Sequence, residues 1–398
     1  MSITMLDKRL QEYRKYQQIT KILLIVSGCW YMSKKSGKST RYWPVCAFLL
    51  MIMYLTMSFR AVYIFRHKFT IVMKMVGVVM SSVSATIKVS IFMINRNSLI
   101  NNHRTLNDFY EEELVQNEKI RSIIFSSLRT TYTIGYTYVI LLIGLVMAYI
   151  VPPYIFIIRN ISHFNSITNY TLPISRGYGY FWTVPDNFLY HLHLIVETII
   201  ATVSCITACA VENVFGFFAY QLASTMRGMT YRLTNPLPNE QFSDLLKTCI
   251  EKHQKLLRCR DILEKVYGPI IFWHIITNAM LFCSLIYDIT TQFEFTVVST
   301  LTFLIWSLIK LLQMFIYAWN GTVITNASDD FRNGIYFGEW PKSDLDRHVR
   351  TNVMLTMMQK PMTIYAIFSR VEIVLFTNFV NTTMSYFFLL QSIGDKSE

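Results

Sequence analysis

The sequence has few charged residues for its length. Asp, Glu, Lys and Arg make up 16% of the 398 residues, whereas a soluble globular protein carries about 25%. Apolar residues make up 53% of the chain and are concentrated in blocks, which excludes an ordinary soluble enzyme and a disordered chain. The net charge of +12 does not indicate nucleic-acid binding, because the basic residues lie between the apolar blocks and form no continuous stripe.

The sequence also lacks the motifs that carry enzymatic or cofactor chemistry. It contains no P-loop, GxGxxG, GxSxG or HExxH. His191 and His193 have alternate spacing, which on a helix puts their rings on different faces, so a zinc site is not expected. Cys205 and Cys209, one helical turn apart, are interpreted as buried apolar residues rather than a metal or redox pair. We therefore predict no enzyme activity, no cofactor and no metal site.

Seven apolar blocks are long enough to cross a bilayer as helices, which requires about 20 residues each. Barrel strands are excluded, because the blocks are too long and backbone groups cannot remain unsatisfied in lipid. The predicted spans are residues 42–59, 69–94, 130–157, 188–222, 267–287, 296–320 and 361–391. The shorter run Ile22–Met32 predicts an interfacial or re-entrant piece, and the N-terminus has no apolar core typical of a cleavable signal sequence.

Basic residues predict the orientation of these spans. Segments 1–41, 95–129, 223–266 and 321–360 contain 27 Lys and Arg, whereas the alternate segments contain 6. Because basic residues are retained on the cytoplasmic side, the N-terminus is predicted to be cytoplasmic and the C-terminus extracellular. The predicted fold class is therefore an all-α membrane protein with seven transmembrane helices, inverted relative to G-protein-coupled receptors.

The loop 158–187 is extracellular in this orientation. It contains the sequons Asn160-Ile-Ser162 and Asn169-Tyr-Thr171, and both asparagines are predicted to carry glycans. None of the seven cysteines lies in a predicted outer loop, so a disulfide-locked outer loop is not expected.

The predicted cytoplasmic segments contain helical patterns. In residues 240–266 apolar positions recur with roughly helical spacing, and no breaker occurs before Pro269. We therefore expect spans four to seven to extend below the membrane as helices that form an anchor; independent helices on the membrane surface are the alternative. The acidic run Glu111–Glu113 is interpreted as a solvated helix face.

Segment boundaries follow from these patterns. The predicted organisation is a cytoplasmic N-terminal segment with an interfacial helix (1–41), spans one to four (42–222), a cytoplasmic helical segment (223–266), spans five and six (267–320), a second cytoplasmic helical segment (321–360), and the seventh span with a short outer tail (361–398).

The seventh span is unusually polar. Pro361 interrupts a helical pattern that begins near Ser343, so a break is expected there. Asn378, Asn381 and Ser385 follow at i, i+3 and i+7 and share one helix face. Polar side chains inside a span face protein or water. This stripe indicates either a water-lined path shared between subunits or polar contacts between helices of one chain.

Three stretches resemble the insect odorant receptors. These are the tail SYFFLLQS (385–392), the segment QMFIYAWNG (313–321) followed by GEWP (338–341), and ILLIVSGCW (22–30). The Trp-Pro pair usual near the N-terminal stretch is displaced to Trp43-Pro44. With the length, the seven spans and the inverted orientation, the resemblance covers the whole chain.

The resemblance implies a ligand-gated, nonselective cation channel of four subunits around one pore, in the plasma membrane of olfactory neuron dendrites. Most members of that family are odorant-tuning subunits that require a common co-receptor subunit. The co-receptor ends in a sequence like TYFMVLVQLK and has a longer insertion before span five. This chain has neither feature, so it is identified as resembling a tuning subunit.

The same resemblance implies roles for residues of the last span, which lines the pore in that family. The gate position falls on Leu389, and an apolar ring there would gate by dewetting. Ser392 replaces a glutamine of the co-receptor, and Ile393 replaces its last leucine. Ser385 begins the matching tail and completes the predicted pore and gate set.

The family also implies an odorant pocket in the outer half of the bundle, lined by spans two to six. Such a pocket is mostly apolar with few polar anchors. The candidate residues are Met80, Ser81, Met147, Tyr149, Tyr190, His193, Phe282, Phe303 and Trp306. For each of these, core packing is the alternative role. Glu197, an intramembrane acid, is either functional or paired with Lys88.

Three other functions remain as alternatives. A G-protein-coupled receptor conflicts with the predicted orientation. A gustatory-type channel shares the channel plan, but its Thr-Tyr…Gln-Phe tail differs from Ser385-Tyr386…Gln391-Ser392 at both ends. A secondary transporter is the third, and neither an inverted repeat nor a pair of broken helices is evident in the sequence.

Overall fold

The structure is a computed structural model of the chain. It describes residues 3–29, 42–67, 69–162, 172, 188–236, 241–291, 297–338 and 347–394. The described residues are almost entirely helical, as the sequence predicts.

Eleven helices and one short hairpin make up the described fold. In chain order they are α1 (Ile3–Val26), α2 (Tyr42–Phe65), α3 (Phe69–Ile94), α4 (Arg96–Val115), α5 (Glu118–Ile124), α6 (Leu128–Ser162), α7 (Phe188–Thr234), α8 (Phe242–Thr291), α9 (Val297–Tyr336), α10 (Arg347–Met358), β1 (Tyr365–Ala366), β2 (Ser369–Arg370) and α11 (Ile373–Gly394). Each of the seven predicted spans falls largely or wholly within one of α2, α3, α6, α7, α8, α9 and α11. Counting only described residues, four stretches meet the length and hydropathy needed to cross a bilayer: Tyr42–Phe65, Met75–Ile94, Glu118–Arg159 and Phe188–Thr234.

The central element is α7, a helix of 47 residues. It contacts α1, α4, α5, α6, α8 and α9, and every residue from Cys209 to Met226 is buried. A helix covered on all sides belongs in a core rather than on a surface. This stretch therefore forms the axis around which the other helices pack.

Long helices continue beyond the apolar stretches of spans four to six, as predicted. The same prediction is wrong for span seven, because α10 ends at Met358 and the hairpin separates it from α11, which begins at Ile373. The helix predicted over 240–266 runs into span five as one element, α8, with Pro269 inside it. We call the region outside the spans the basal bundle; it consists of α1, α4, α5 and α10 with residues 223–234 of α7, 242–266 of α8 and 321–336 of α9. These extensions pack together, so the alternative of independent surface helices is wrong.

Aromatic contacts hold the basal bundle together. The rings of Tyr13 and Tyr110 stack with centroids 4.5 Å apart. Tyr110 donates its hydroxyl hydrogen to Tyr220 Oη at 2.9 Å, since Tyr220 donates its own to the carbonyl oxygen of Ile124 at 3.0 Å. The stacked rings and these two hydrogen bonds link α1, α4, α5 and α7.

The N-terminal helix is larger than the interfacial piece predicted from Ile22–Met32. It begins at Ile3 and packs on α7, where Tyr16 Oη donates to the carbonyl oxygen of Asn213 at 3.2 Å. Its last turn still exposes the apolar side chains of Ile22 and Ile25. The helix is therefore a packed part of the basal bundle with an apolar end.

The acidic run in α4 is not a solvated face. Glu113 is fully buried, and its Oε1 lies 2.9 Å from the Nζ of Lys252 on α8. Lys252 also pairs with Glu112 at 2.8 Å. The interpretation of this run as solvated is therefore wrong for Glu113, whose charge is balanced across two helices.

The segment predicted to begin the seventh span forms a hairpin instead. The expected break near Pro361 is confirmed, but α11 begins at Ile373, and β1 and β2 pair between the break and that helix. The prediction of helix from residue 361 is wrong, and the fold is all-α apart from this hairpin. A Cβ on Gly321 of α9 would clash with the carbonyl oxygen of Val371, so a glycine is needed where the chain after β2 crosses α9.

Candidate ligand cavity and pore helix

A cavity of about 160 Å³ lies between α2, α3, α6, α7 and α9. The residues that line it are Tyr54, Val78, Ser81, Ser84, Ala85, Lys88, Tyr138, Leu142, Leu145, Val146, Tyr149, Ala201, Ser204, Cys205, Ala208, Trp306, Ile309, Lys310 and Gln313. Most of this lining is aliphatic or aromatic, with a few polar groups, which is the usual composition of a small-molecule site.

One wall is fixed by a hydrogen bond between α6 and α9. Trp306 Nε1 donates to Tyr149 Oη at 3.1 Å. Leu145 of α6 and Ile309 of α9 pack into the same apolar cluster. A tryptophan with its N–H satisfied presents its apolar ring to the cavity at little cost.

A buried charge cluster lies at the cavity wall formed by α3, α7 and α9. Lys88 Nζ lies 2.7 Å from Glu212 Oε1, and both side chains are almost fully buried. Gln313 Nε2 donates to the same carboxylate, and His274 Nε2 lies 3.7 Å from it. A buried ion pair is stable only when further hydrogen bonds satisfy its atoms, and Gln313 supplies one here.

Lys310 adds a second positive charge to the cavity. Its side chain is buried, and its ammonium lies 5.8 Å from the centroid of the Trp306 ring. Among the described residues no carboxylate lies within ion-pair distance of this ammonium. The ring face of Trp306 provides a partial substitute through a cation–π contact.

Glu197 lines a second, smaller cavity of about 20 Å³ between α2, α3 and α7. The two cavities share Tyr54 and Val78 as lining residues. The ion pair of Lys88 is with Glu212, so the suggested pairing of Lys88 with Glu197 is wrong. The two carboxylates are 15 positions apart on one helix, and the sequence alone does not show which one faces Lys88.

The structure brings together three of the nine candidate pocket residues: Ser81, Tyr149 and Trp306 line the cavity. The other candidates lie elsewhere. Met147 is exposed, and Met80 and the buried His193 are outside the lining. Tyr190 packs in a separate cluster with Leu172 and Leu194, and Phe282 packs against Phe379 of α11. The side chain of Phe303 is outside the described residues.

The charged lining residues Lys88 and Lys310 were missed as pocket candidates, although both interrupt predicted spans. A charged residue inside a span is a default functional candidate. That signal was available from the sequence, but hydropathy does not show which face of a helix borders a cavity.

The polar stripe of α11 points away from the rest of the chain. Asn378, Asn381 and Ser385 are exposed, while Phe379 on the opposite face packs against Phe282 of α8. Within the described residues, the stripe therefore does not serve as a polar contact between helices of this chain. The side chains of Leu389, Ser392 and Ile393 lie outside the described residues, although the α11 backbone continues to Gly394.

Neither predicted glycan site has a described side chain. Asn160 lies in the last turn of α6, and Asn169 lies in a stretch outside the described residues. Glycosylation at both positions stays a prediction.

A family model matches most of the chain. Residues 68–384 match the model described as 7tm Odorant receptor. Among curated proteins, Odorant receptor 9a of Drosophila melanogaster is 24% identical over 213 residues, which is 52% of this chain and 53% of the relative. Odorant receptor Or2 of Anopheles gambiae is 23% identical over 152 residues, which is 37% of this chain and 39% of that relative. The chain spans about half the length or less of the curated relatives it matches.

Solved structures show the same fold over nearly the whole chain. The insect olfactory receptor OR5 from Machilis hrabei aligns with a TM-score of 0.76 and 13% identity, covering 96% of this chain and 98% of that one. The same receptor in complex with eugenol aligns with a TM-score of 0.74 and 14% identity, covering 96% and 99%. The likeness at this identity is one of fold.

Proposed function

Since the chain belongs to the 7tm odorant receptor family, we propose that it is an odorant-tuning subunit of a ligand-gated, nonselective cation channel. In this proposal it assembles with a co-receptor subunit, as a heterotetramer, in the plasma membrane of olfactory neuron dendrites. The family and the fold are those of a membrane receptor rather than an enzyme.

The observation that carries the channel proposal is the exposed polar stripe of α11. A stripe of Asn378, Asn381 and Ser385 that has no partner helix among the described residues is costly in lipid and needs water or another subunit. Four copies of α11 around one axis would turn the stripes toward a shared aqueous path. Leu389, Ser392 and Ile393 follow on α11 and are the proposed gate region, with Leu389 closing the pore by dewetting.

The proposed odorant site is the cavity between α2, α3, α6, α7 and α9. Its volume of about 160 Å³ is similar to that of an engineered cavity of about 150 Å³ that binds benzene. Ser81, Tyr149 and Trp306 are retained as ligand-binding residues, and Lys88, Lys310 and Gln313 are added. A related receptor has been solved with eugenol, and the proposal gives this chain a ligand of comparable kind, a small volatile.

The proposed orientation places the basal bundle in the cytoplasm as the anchor of the assembly. The loop 158–187, with Asn160 and Asn169 as glycan sites, is then extracellular, as is the C-terminus. The basic residues of the segments that form the basal bundle support this orientation.

Whole-cell current tests the function. The chain is expressed with and without the co-receptor subunit, a broad volatile panel is applied, and G-protein signalling is blocked from the pipette. We expect fast inward current that needs the co-receptor and survives the block. Current without the co-receptor would indicate a homomeric channel, and responses abolished by the block would indicate a metabotropic receptor.

Two variants separate the pore from the odorant site. Leu389→Ala is expected to raise current in the absence of ligand, because a smaller apolar ring dewets less readily. Trp306→Ala is expected to raise the odorant concentration that gives half-maximal current. It should not produce current in the absence of ligand. Exposed Lys119→Met in the basal bundle is the matched control, and an equal effect of all three variants would contradict the assignment.

A further inference from the structure

The charges around the cavity do not balance. Glu212 is the carboxylate in ion-pair contact with Lys88, and the described lining contains no Asp or Glu. Among the described residues, Lys310 is therefore left with the Trp306 ring at 5.8 Å and the more distant field of Glu212. A buried ammonium without a carboxylate partner is costly unless another group supplies the missing negative charge.

Neutral donors line the same cavity as Lys310. The oxygen of Tyr149 accepts the hydrogen bond of Trp306, which leaves the phenolic O–H free to donate. The hydroxyls of Ser81 and Ser84 line the same space and make no hydrogen bond to described residues. Apart from the unpaired Oε1 of Gln313, the polar lining thus offers groups that can donate a hydrogen bond, together with positive charge, and these suit an acceptor-rich, negatively charged group.

We infer that the cavity binds a small carboxylic acid as its anion, with the carboxylate against Lys310 and the apolar part against Leu142, Leu145 and Val146. This inference rests on the proposed function, because it names the ligand class of the same cavity. The volume of about 160 Å³ limits the ligand to roughly six to nine non-hydrogen atoms, since a cavity of about 150 Å³ holds benzene. An amine is disfavoured, because it would add a third positive charge beside Lys88 and Lys310.

Isomeric ligands test the inference. Pentanoic acid, its isomer methyl butanoate and pentylamine are applied at one external pH to cells expressing the chain with the co-receptor. We expect the acid to reach half-maximal current at a concentration at least tenfold below that of the ester, and pentylamine to be inactive. Equal potency of the two isomers would overturn the inference, although the channel function would still stand.

Variants of Lys310 locate the effect. A hydrogen bond to a charged group contributes enough that Lys310→Met should raise the half-maximal concentration of the acid about ten- to hundredfold. The ester should change less than about threefold, and Lys310→Arg should retain the preference for the acid. Lys265→Met, an exposed lysine of the basal bundle, is the matched control. A parallel loss for acid and ester in Lys310→Met would contradict a carboxylate contact.

A binding measurement distinguishes failure of this inference from failure of the proposed function. If no volatile elicits current, the purified protein is heated with pentanoic acid or methyl butanoate. An increase in the thermal midpoint that occurs with the acid but not with the ester, and does not occur in Lys310→Met, would support the acid site. That result would stand although the channel proposal had failed. No shift with the acid would overturn the inference as well. If Lys310→Met fails to fold, the isomer comparison on the wild-type chain decides.

Discussion

Lys88 and Glu212 connect two helices that are far apart in sequence through one buried contact of 2.7 Å. Both side chains are buried inside the protein, away from bulk water. The desolvation cost of such a pair is recovered only while both partners are present. The contact thus fixes α3 against α7 at the wall of the cavity, and its geometry holds Gln313 in place as well.

Removal of one partner should therefore destabilise the fold. Lys88→Met leaves the Glu212 carboxylate buried with Gln313 as its close partner, and we expect a loss of about 3–5 kcal/mol. The double variant Lys88→Met/Glu212→Gln should recover much of this loss, because no uncompensated charge remains. The thermal midpoint of each purified variant, monitored by size-exclusion chromatography, tests both expectations. Lys119→Met, at an exposed position, is the control. A double variant no more stable than Lys88→Met would contradict this account.

Histidines in the basal bundle carry the clearest pH dependence. Burial lowers the pKa of His253 to about 4, and its ring stacks on Phe331 at 4.8 Å. Burial, and secondarily the positive charge of Lys21, lowers the pKa of His103 to about 4. The ordinary histidine pKa is about 6.5, so the unfolded chain binds protons more readily than the folded one between these values.

Stability is therefore complete above pH 6.5 and decreases as the pH falls toward 4. At pH 5 each histidine should cost about 2 kcal/mol relative to pH 7.5. His253→Gln should reduce the difference in thermal midpoint between pH 7.5 and pH 5, and His103→Gln should reduce it further. His191→Gln, at an exposed position, is the control variant. An undiminished acid response in the double variant would show that other groups cause it.

At the scale of elements, the contact between α9 and the chain after β2 depends on one missing side chain. A Cβ on Gly321 would clash with the carbonyl oxygen of Val371, which is a backbone atom and cannot rotate away. Val371 is itself buried, and its N–H donates to the carbonyl oxygen of Ile364 at 2.9 Å. The hairpin therefore has little freedom to move away from α9.

Gly321→Ala is expected to displace the hairpin and the start of α11. We predict loss of a monodisperse, folded protein, measured by fluorescence-detected size-exclusion chromatography after expression. Gly144→Ala is the matched control, because nothing lies within 4 Å of a Cβ built there. Since Gly144 lies inside α6, that variant should be neutral or gain up to about 1 kcal/mol from helix propensity. Similar yields from the two variants would contradict the close approach.

The elements also show what periodicity can and cannot predict. The second span coincides with α3, since residues 69–94 are apolar without a breaker. The predicted seventh span begins at residue 361, before the start of α11. The reason is that the hairpin segment buries Met362, Ile364 and Ala366, so its composition resembles that of a span. The position of the hairpin depends on its contacts with α8 and α9, and a local sequence pattern does not predict these contacts.

The site was predictable in part for a related reason. Ser81, Tyr149 and Trp306 lie on faces that border the cavity, but residues at similar depth, such as Met147 and Tyr190, face other directions. Depth follows from hydropathy, whereas the facing direction follows from how helices rotate in the bundle. The choice of Glu212 over Glu197 as partner of Lys88 has the same origin.

At the scale of the molecule, the cavity and α11 are linked by α9. Trp306 and Lys310 line the cavity from α9, and Phe315 of the same helix contacts Phe376 of α11 at 5.6 Å between ring centroids. A ligand that shifts α9 therefore has a packed route to α11. Such a route biases a channel only if the ligand binds the open and closed states with different affinity.

The complete burial of α7 from Cys209 to Met226 limits how this chain can diverge. A helix with one exposed face tolerates substitutions at every third or fourth position, but this stretch has no exposed face. Substitutions are therefore tolerated more readily on helices such as α2 and α6, which turn many apolar side chains outward.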